Sequence, residues 1–600
     1  MSVKSKVFVH DFHAPVEAVW SAIADTARYN EAAGLPRHEI VEEILDHAGI
    51  RFFGKARMGP FDMEWEDRPC NWLRNRWFRH ERVFSKGPLS RLVAELHLEP
   101  TEGGCRGRYE IEAGPANLAG HLLLAGGFFG GARKTFAKLA ASAERFARGE
   151  QELAFEIPPP CLTMEAQGRL ESALARLRET SSHAELADRL GELVAKGPET
   201  DIVHIRPLLL ARRWGVSDLH AIELCLEATR AGLLELHWDL LCPRCRIAKD
   251  SVHALDALPD GAHCSTCNID YDRDFSRNVE LSFRPSASIR PVSFGEYCLL
   301  GPMSTPHILA HITLKPGADI ELEQEIGPGL WRLRTLEAGP QRDVDHPGGP
   351  FAEVRIGEDD IVPGEPAAAG RIRIVNECPF ERTAVIEDRS WTKDALTADH
   401  VTSLQTFRDL FSDQVLRPGD EVGVARITLM FSDLEGSTAL YGRIGDAPAY
   451  HRVREHFAFM QQMVRDGGGT VVKTIGDAVM AAFIDPEAAV RVAIAMQRRL
   501  VGKLEGEGGA DRLRLKLGLH GGPCIVVTLN DRLDYFGTTV NMAARLQSLS
   551  RGDDIVLSCD IVEEPAVNAL VAELGSRREE ARLKGFDEPV QYFRLRFDAP

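Results

Sequence analysis

The chain has 600 residues, 44% of them apolar, and its 89 acidic against 71 basic side chains leave a net charge of −18. That length implies about four domains with material for several cores, and the acidic balance argues against bulk nucleic-acid binding and against an anionic membrane surface. The amino terminus has no apolar signal core, and the most apolar glycine-rich stretch, 117–132, contains His121 and falls short of the about 18 residues of a span; a multidomain cytoplasmic protein with no membrane span is expected.

In residues 1–150, KVFVHDFHAPVEAVWSAIADTARYN reads as a strand, a Pro-marked helix start and an amphipathic helix with Val16, Val19, Trp20 and Ile23 on one face. Strand-like runs follow (RFFGKARM, NRWFRHERVF, RLVAELHLEP, CRGRYEIEAG), then a helix-rich segment through Phe136 and Phe146. This order, with APVEAVWSAIAD as its best local cue, resembles the START-like, or SRPBCC, helix-grip fold. The resemblance implies a curved antiparallel sheet wrapped on a long C-terminal helix around an apolar cavity, and hence an apolar small-molecule ligand. Trp65, Trp72, Trp77 and Phe78 are candidates to line that cavity or to serve as ordinary core and surface aromatics.

Residues 151–160 are a Pro-rich linker, stiffened by Ile157-Pro158-Pro159-Pro160. Residues 161–240 read as helical, with apolar stripes at Leu170, Leu174 and Leu177 and at Leu186, Leu190 and Leu193. Their last part, ARRWGVSDLHAIELCLEATRAGLLELHWDLL, is helix-turn-helix-like without a basic recognition face, so nucleic acid is not an expected partner. In residues 241–275, Cys242-Pro-Arg-Cys245 and Cys264-Ser-Thr-Cys267 are separated by eighteen residues. Two such knuckles complete a tetrahedron of thiolates, the pattern of a zinc ribbon whose structural Zn²⁺ has no open position; a redox dithiol is the competing reading. Residues 276–395 alternate strand-like runs with Pro- and Gly-rich turns, as an antiparallel β domain does. Residues 396–424 read as a connector with one helix, 399–411, feeding the last domain.

Residues 425–600 carry the chemistry. An apolar strand-like run, 427–431, leads into Asp433, and Gly436, Ser437 and Thr438 open the next helix, whose N–H groups suit a triphosphate. Asp477 lies forty-four residues on, in a Gly-Asp dipeptide between the β-rich runs 470–475 and 478–483, which reads as a tight hairpin. Two hard carboxylates of this kind suit a pair of Mg²⁺ or Mn²⁺ ions in phosphoryl chemistry. Asn541 and Arg545 are four apart on a predicted helix and share a face.

FSDLEGST, VVKTIGDAVMAAF, GLHGGP and DYFGTTVNMAARL resemble, in the same order and at compatible spacing, the motifs of class III nucleotidyl cyclases, and cover roughly the last 175 residues. The resemblance implies a ferredoxin-like catalytic fold, within an α+β and α/β multidomain chain, and conversion of a nucleoside triphosphate to its 3′,5′-cyclic monophosphate with release of pyrophosphate. It implies that Asp433 and Asp477 hold two Mg²⁺ or Mn²⁺ ions per site, that Asn541 and Arg545 orient the ribose and the α-phosphate, and that Lys473 and Asp534 read the purine. Lys473 can only donate and ionised Asp534 can only accept, which matches adenine and makes ATP the expected substrate, with GTP the alternative. Lys584 in ARLKGFDEPVQYF matches a triphosphate-binding lysine of relatives. Family members place the metal aspartates of one chain against the purine pair, Asn and Arg of another, so a homodimer with two shared sites is implied. The middle region resembles an uncharacterised domain found beside bacterial cyclases. An adenylate cyclase with regulatory N-terminal domains is therefore expected; a catalytically silent nucleotide-binding scaffold is the rival.

Overall fold

The computed structural model describes residues 3–597 apart from 37, 45–49, 156, 158–159, 265–266, 268, 293–300, 338, 390–394, 418, 437–441, 444, 504–513, 530–531 and 587. Pro158 and Pro159 of the expected linker, and Ser437 and Thr438 of the expected phosphate-binding helix start, lie outside the described residues. Among the described residues no helix is long and apolar enough to cross a membrane.

The first 150 residues form a mostly antiparallel sheet under a twenty-residue helix, Phe128–Ala147. That helix buries Phe136, Leu139, Ala140 and Ala143, an i, i+3, i+4, i+7 stripe, against Val19, Trp20 and Ile23 from the helix Val16–Ile23. Tyr109 and Phe136 stack at 5.1 Å. The cavity between helix and sheet, touched by Ile23, Tyr29, Phe78, Leu96, Tyr109 and Phe136, holds only about 50 Å³, whereas small-molecule sites span about 300–1,000 Å³. Of the four candidate aromatics Phe78 alone lines this cavity. Trp65 and Trp72 are core residues, 4% and 0% exposed, and Trp77 stacks on His97 with ring centroids 6.3 Å apart.

Trp72 explains why the N-terminal sheet does not stop at its own boundary. It lies on the short strand Asn71–Leu73, which pairs with Ile308–Leu314 through Leu73↔Ala310 and Trp72↔His311. Its indole stacks flat on His311 at 4.3 Å, and its Nε1–H donates to the Ile308 carbonyl at 3.4 Å. The sheet then continues through Arg382–Asp388, Gly329–Thr335 and Gln341–His346 to a total of twelve strands.

The strands of residues 276–395, expected as an antiparallel β domain, are divided among three sheets. Val279–Pro285 pairs with Leu234–Leu241 in a three-stranded sheet beside the cysteine knuckles. Four further strands form a small sheet that contains a parallel pair, Ala352–Ile356 with Arg371–Asn376. The strand periodicity is local, but pairing partners are chosen by tertiary packing, which no single run encodes.

The helices Met164–Thr180, Ala187–Lys196, Pro207–Trp214 and Asp218–Arg230 pack on that three-stranded sheet. Gly215, at φ 67°, ends the third, and the Ser217 side chain caps the fourth by accepting from the His220 N–H at 3.2 Å. Ile222, Leu224, Cys225 and Leu226 of the fourth are buried, so the helix that would enter a groove is a core element. The connector expected as one helix is two, Ala398–Thr402 and Gln405–Leu410, broken at Ser403 and Leu404.

The C-terminal sheet runs in the order Thr470–Ile475, Ala478–Phe483, Val422–Glu435, Arg514–Leu529, Asp554–Ser558, Val590–Arg596, Arg577–Ala581, with Arg532–Phe536 paired to Arg514–Leu529. Strand alternation divides its core. Met430, Val479 and Ala481 meet the helices Asp446–Asp466 and Pro486–Lys503, whereas Leu429, Phe431, Met480 and Ala482 share one continuous core with the connector and the middle helices.

Replacing Trp72 by Ala removes a fully buried indole from the seam and is expected to cost about 3–5 kcal/mol. Urea unfolding followed by fluorescence should then show the N-terminal sheet melting ahead of the rest.

Candidate active site

The strand Val422–Glu435 carries Asp433 at its far end, and the adjacent hairpin carries Asp477 at its tip. Gly476 takes φ 64° at the first position of the two-residue turn, the requirement of a II′-type hairpin that only glycine meets without strain. Burial and the charge of Asp477 push the Asp433 carboxyl above its ordinary range, while Lys516, the Leu434 backbone and the Gln547 side chain pull the other way. Two half-buried carboxylates that repel each other at a hairpin tip form a hard-oxygen donor set, and Mg²⁺ or Mn²⁺ fits it.

Three neighbours escaped the sequence reading. Lys516 lies directly across the antiparallel ladder from Asp433, a partnership visible only once the register is known. Gln547 reaches Asp433 from the last turn of the helix Thr538–Leu549. His456, buried on the helix Asp446–Asp466, senses the charge of Asp477, yet burial lowers its pKa to about 4 and keeps it neutral.

The structure joins Lys473 to Asp534. Lys473 Nζ donates to Asp534 Oδ2, and Asp534 Oδ1 accepts from the Tyr535 N–H at 2.8 Å. A bulge between Val471 and Lys473 re-aims the lysine strand against its partner. The connector braces both strands. Thr470 donates to the Ser403 carbonyl, the Val471 N–H donates to Gln405 Oε1 at 2.7 Å, and Arg408 Nη1 donates to the Leu533 carbonyl at 2.7 Å. The Arg408 guanidinium also lies over the Tyr535 ring, 5.1 Å from its centroid.

Asn541 and Arg545 share the exposed face of the helix Thr538–Leu549, opposite buried Ala543 and Leu546. Among the described residues neither side chain has a polar partner, which leaves both free to face another molecule. Lys584 is exposed in the turn after Arg577–Ala581, next to Gly585 at φ 92°.

Residues 422–595 match the family model described as the adenylate and guanylate cyclase catalytic domain. These residues form a cyclase catalytic domain. Residues 167–299 match a family of unknown function. An adenylate cyclase of Anabaena cylindrica is 28% identical over 196 residues, covering 29% of this chain and 38% of that protein. An uncharacterized protein of Mycobacterium tuberculosis is 31% identical over 204 residues, covering 34% of this chain and 48% of its own length. The crystal structure of the adenylyl cyclase CyaB from P. aeruginosa is similar at 25% identity, covering 30% of this chain and 97% of that one with a TM-score of 0.27. The chain spans less than half the length of these curated relatives.

The four cysteines of the middle region are buried together, with a sulfur from each within 4.8 Å of the others. Cys245 Sγ and Cys264 Sγ are 3.6 Å apart, close to the roughly 3.8 Å edge of a tetrahedron with Zn–S bonds of about 2.3 Å. The Arg244 and Cys267 N–H groups each donate to a knuckle sulfur, Cys242 Sγ and Cys264 Sγ, at 3.4 Å. The donor set fits Zn²⁺.

The raised Asp433 carboxyl has a consequence for the cyclase domain. A carboxyl whose folded pKa lies above its unfolded value adds stability only at low pH and loses it as pH rises through the folded value, so ionised Asp433 works against folding at neutral pH. Asp433→Asn should therefore raise the midpoint of the metal-free cyclase domain by on the order of a few degrees, and should abolish the further gain that Mn²⁺ gives the parent. Calorimetry with and without Mn²⁺ checks both.

Proposed function

We propose that the chain is an adenylate cyclase converting ATP to 3′,5′-cyclic AMP and pyrophosphate at sites shared between two copies. The observation that carries this reading is the Lys473–Asp534 pair: one obligate donor and one obligate acceptor, side by side at the hairpin edge. Their separation by a substrate purine would direct the lysine to adenine N1 and the aspartate to the 6-amino group. Guanine would face both with the wrong polarity, leaving buried polar groups unpaired.

Asp433 and Asp477 would hold Mg²⁺ or Mn²⁺, which when bound neutralises the triphosphate and acidifies the ribose 3′-hydroxyl. Asn541 orients the ribose, and Arg545 offers its guanidinium to the α-phosphate as charge gathers there. The 3′-oxygen attacks the α-phosphorus, the bond to the β-phosphate oxygen breaks, and pyrophosphate departs. Lys584 completes the charge balance around the leaving triphosphate end. Exposure of Asn541 and Arg545 on the face of their own helix supports their use by a second copy, and a twofold dimer makes two such sites. The four cysteines hold structural Zn²⁺, and the domains before the connector regulate the output in the cytoplasm.

Purified protein incubated with ATP or GTP and Mg²⁺ or Mn²⁺ should yield cyclic AMP. Absence of any cyclic product would overturn the enzyme reading, and preferential cyclic GMP would overturn the base assignment. Asp433→Ala should lower kcat by about 10³-fold or more, since several kcal/mol of charge stabilisation leave with the metal. Equal amounts of Asp433→Ala and Arg545→Ala, mixed to allow subunit exchange, should recover about a quarter of parental activity: half the dimers are mixed, and each has one intact site of two.

Arg408 is a positioning residue in this reading, because it acts on the purine pair through the strand of Asp534. Arg408→Ala removes about 1–1.5 kcal/mol of hydrogen bonding and should lower the ATP-over-GTP preference by about tenfold, mostly through KM. Stabilisation by Mn²⁺ should be unchanged.

A further inference from the structure

The strand Leu234–Leu241 sends Leu236, Trp238 and Leu240 into the core and Glu235, His237 and Asp239 to its other face. Its antiparallel neighbour Ala248–Val252 pairs Val252 with Trp238, which brings His253, the next residue, back over the same face. The rings of His237 and His253 lie 4.3 Å apart. One ligand atom from each of Glu235, His237 and His253 lies within 4.8 Å of the other two.

The hydrogen bonds around these side chains leave their ligating atoms free. His253 Nδ1 lies 3.3 Å from the Leu236 carbonyl, which can only accept, so Nδ1 carries the proton and Nε2 keeps a lone pair. His237 Nδ1 faces Ser251 Oγ at 3.4 Å, and His237 Nε2 is buried with no hydrogen-bond partner in a side chain only 5% exposed. One Glu235 oxygen accepts from the Ala287 N–H at 2.8 Å, leaving the other available. Each of the three has an outer partner that orients it, as ligands of a bound metal do. Behind His237, Arg284 donates to Ser251 Oγ at 2.9 Å, and its positive charge is met by Asp239, 3.7 Å away.

We propose that Glu235, His237 and His253 form a second divalent-cation site, suited to Zn²⁺, with its fourth position open to water. Two imidazoles and a carboxylate are the donors of an open zinc site, and Zn–N bonds of about 2.0–2.1 Å require the ligands to close by roughly an ångström. His253 is exposed and can make that movement. The site is separate from the four cysteines, which begin one residue after the strand ends. It also adjoins the connector: Gln414 donates to the His253 carbonyl at 3.2 Å, and its Oε1 accepts from Trp238 Nε1 at 2.9 Å and from the Leu255 N–H at 3.1 Å. A cation here ties the His253 loop to its strand at the point where the connector is attached.

The test is zinc titration of the full chain by calorimetry, with metal content measured after gel filtration. The parent should bind one zinc per chain more than His253→Ala, and zinc should raise the melting temperature of the parent but not of the variant. His237→Gln should lose the same equivalent, and Glu235→Gln should bind it at least about tenfold more weakly. His253 is exposed, so its removal leaves the fold intact even if His237→Gln does not. Equal zinc content and equal affinity in parent and His253→Ala would overturn the proposal, whatever the cysteines hold and whatever the cyclase activity.

Discussion

The separation of Lys473 and Asp534 is a constraint on which much of this structure converges. The two residues sit on different strands, and the lysine side chain is 37% exposed. An ion pair of that exposure contributes at most about 1 kcal/mol, too little to hold two strand edges in register. The holding is done from outside the catalytic sheet, where the Ser403 carbonyl accepts from the Thr470 side chain, Gln405 accepts from the Val471 N–H and Arg408 donates to the Leu533 carbonyl. Phe407, fully buried between them, anchors that short helix in the core.

The brace is continuous with the middle of the chain. Phe407 meets Trp238 edge-on at 6.0 Å, and Thr406 donates to Glu223 on the helix Asp218–Arg230 at 2.7 Å. Glu223 also bonds His183 at 2.8 Å. Arg273 and Arg417 add ion pairs to Asp420 and Asp260. At its other side the cysteine knuckle touches the twelve-stranded sheet: the Arg244 carbonyl accepts from His307, and Arg244 itself donates to Gln341 at 3.3 Å. Hydrogen bonds and ring contacts thus lie at each junction between the N-terminal sheet and the Lys473–Asp534 pair. A movement at one end has a physical route to the other, and its coupling energy is measurable by double-mutant cycles.

How much was legible before folding depended on whether a signal was local. The hairpin around Asp477 was, because a Gly-Asp turn between two apolar runs permits little else, and the strands occupy Thr470–Ile475 and Ala478–Phe483. The gathering of Cys242, Cys245, Cys264 and Cys267 was, because each Cys-x-x-Cys puts two thiols on one tight turn. The connector was read as one helix and is two, and at the break the Ser403 carbonyl accepts from the Thr470 hydroxyl, a partner sixty-seven residues away. In the N-terminal domain a long helix lies on a sheet, and Tyr109 and Phe136 stack between the two.

Sequence by itself determined the residue types, their spacing and therefore the chemistry they can do: two carboxylates forty-four residues apart, an obligate donor at Lys473 and an acceptor at Asp534, four thiols in two Cys-x-x-Cys pairs. Only tertiary structure decided which groups meet. Lys516 opposite Asp433, Trp72 on His311, Arg408 beneath the strand of Asp534, and Glu235 with His237 and His253 are all partnerships across strand ladders or between modules. The reason is physical: periodicity and turn chemistry act within a few residues, whereas register and packing are set by burying distant surfaces together, and that information is spread over the whole chain.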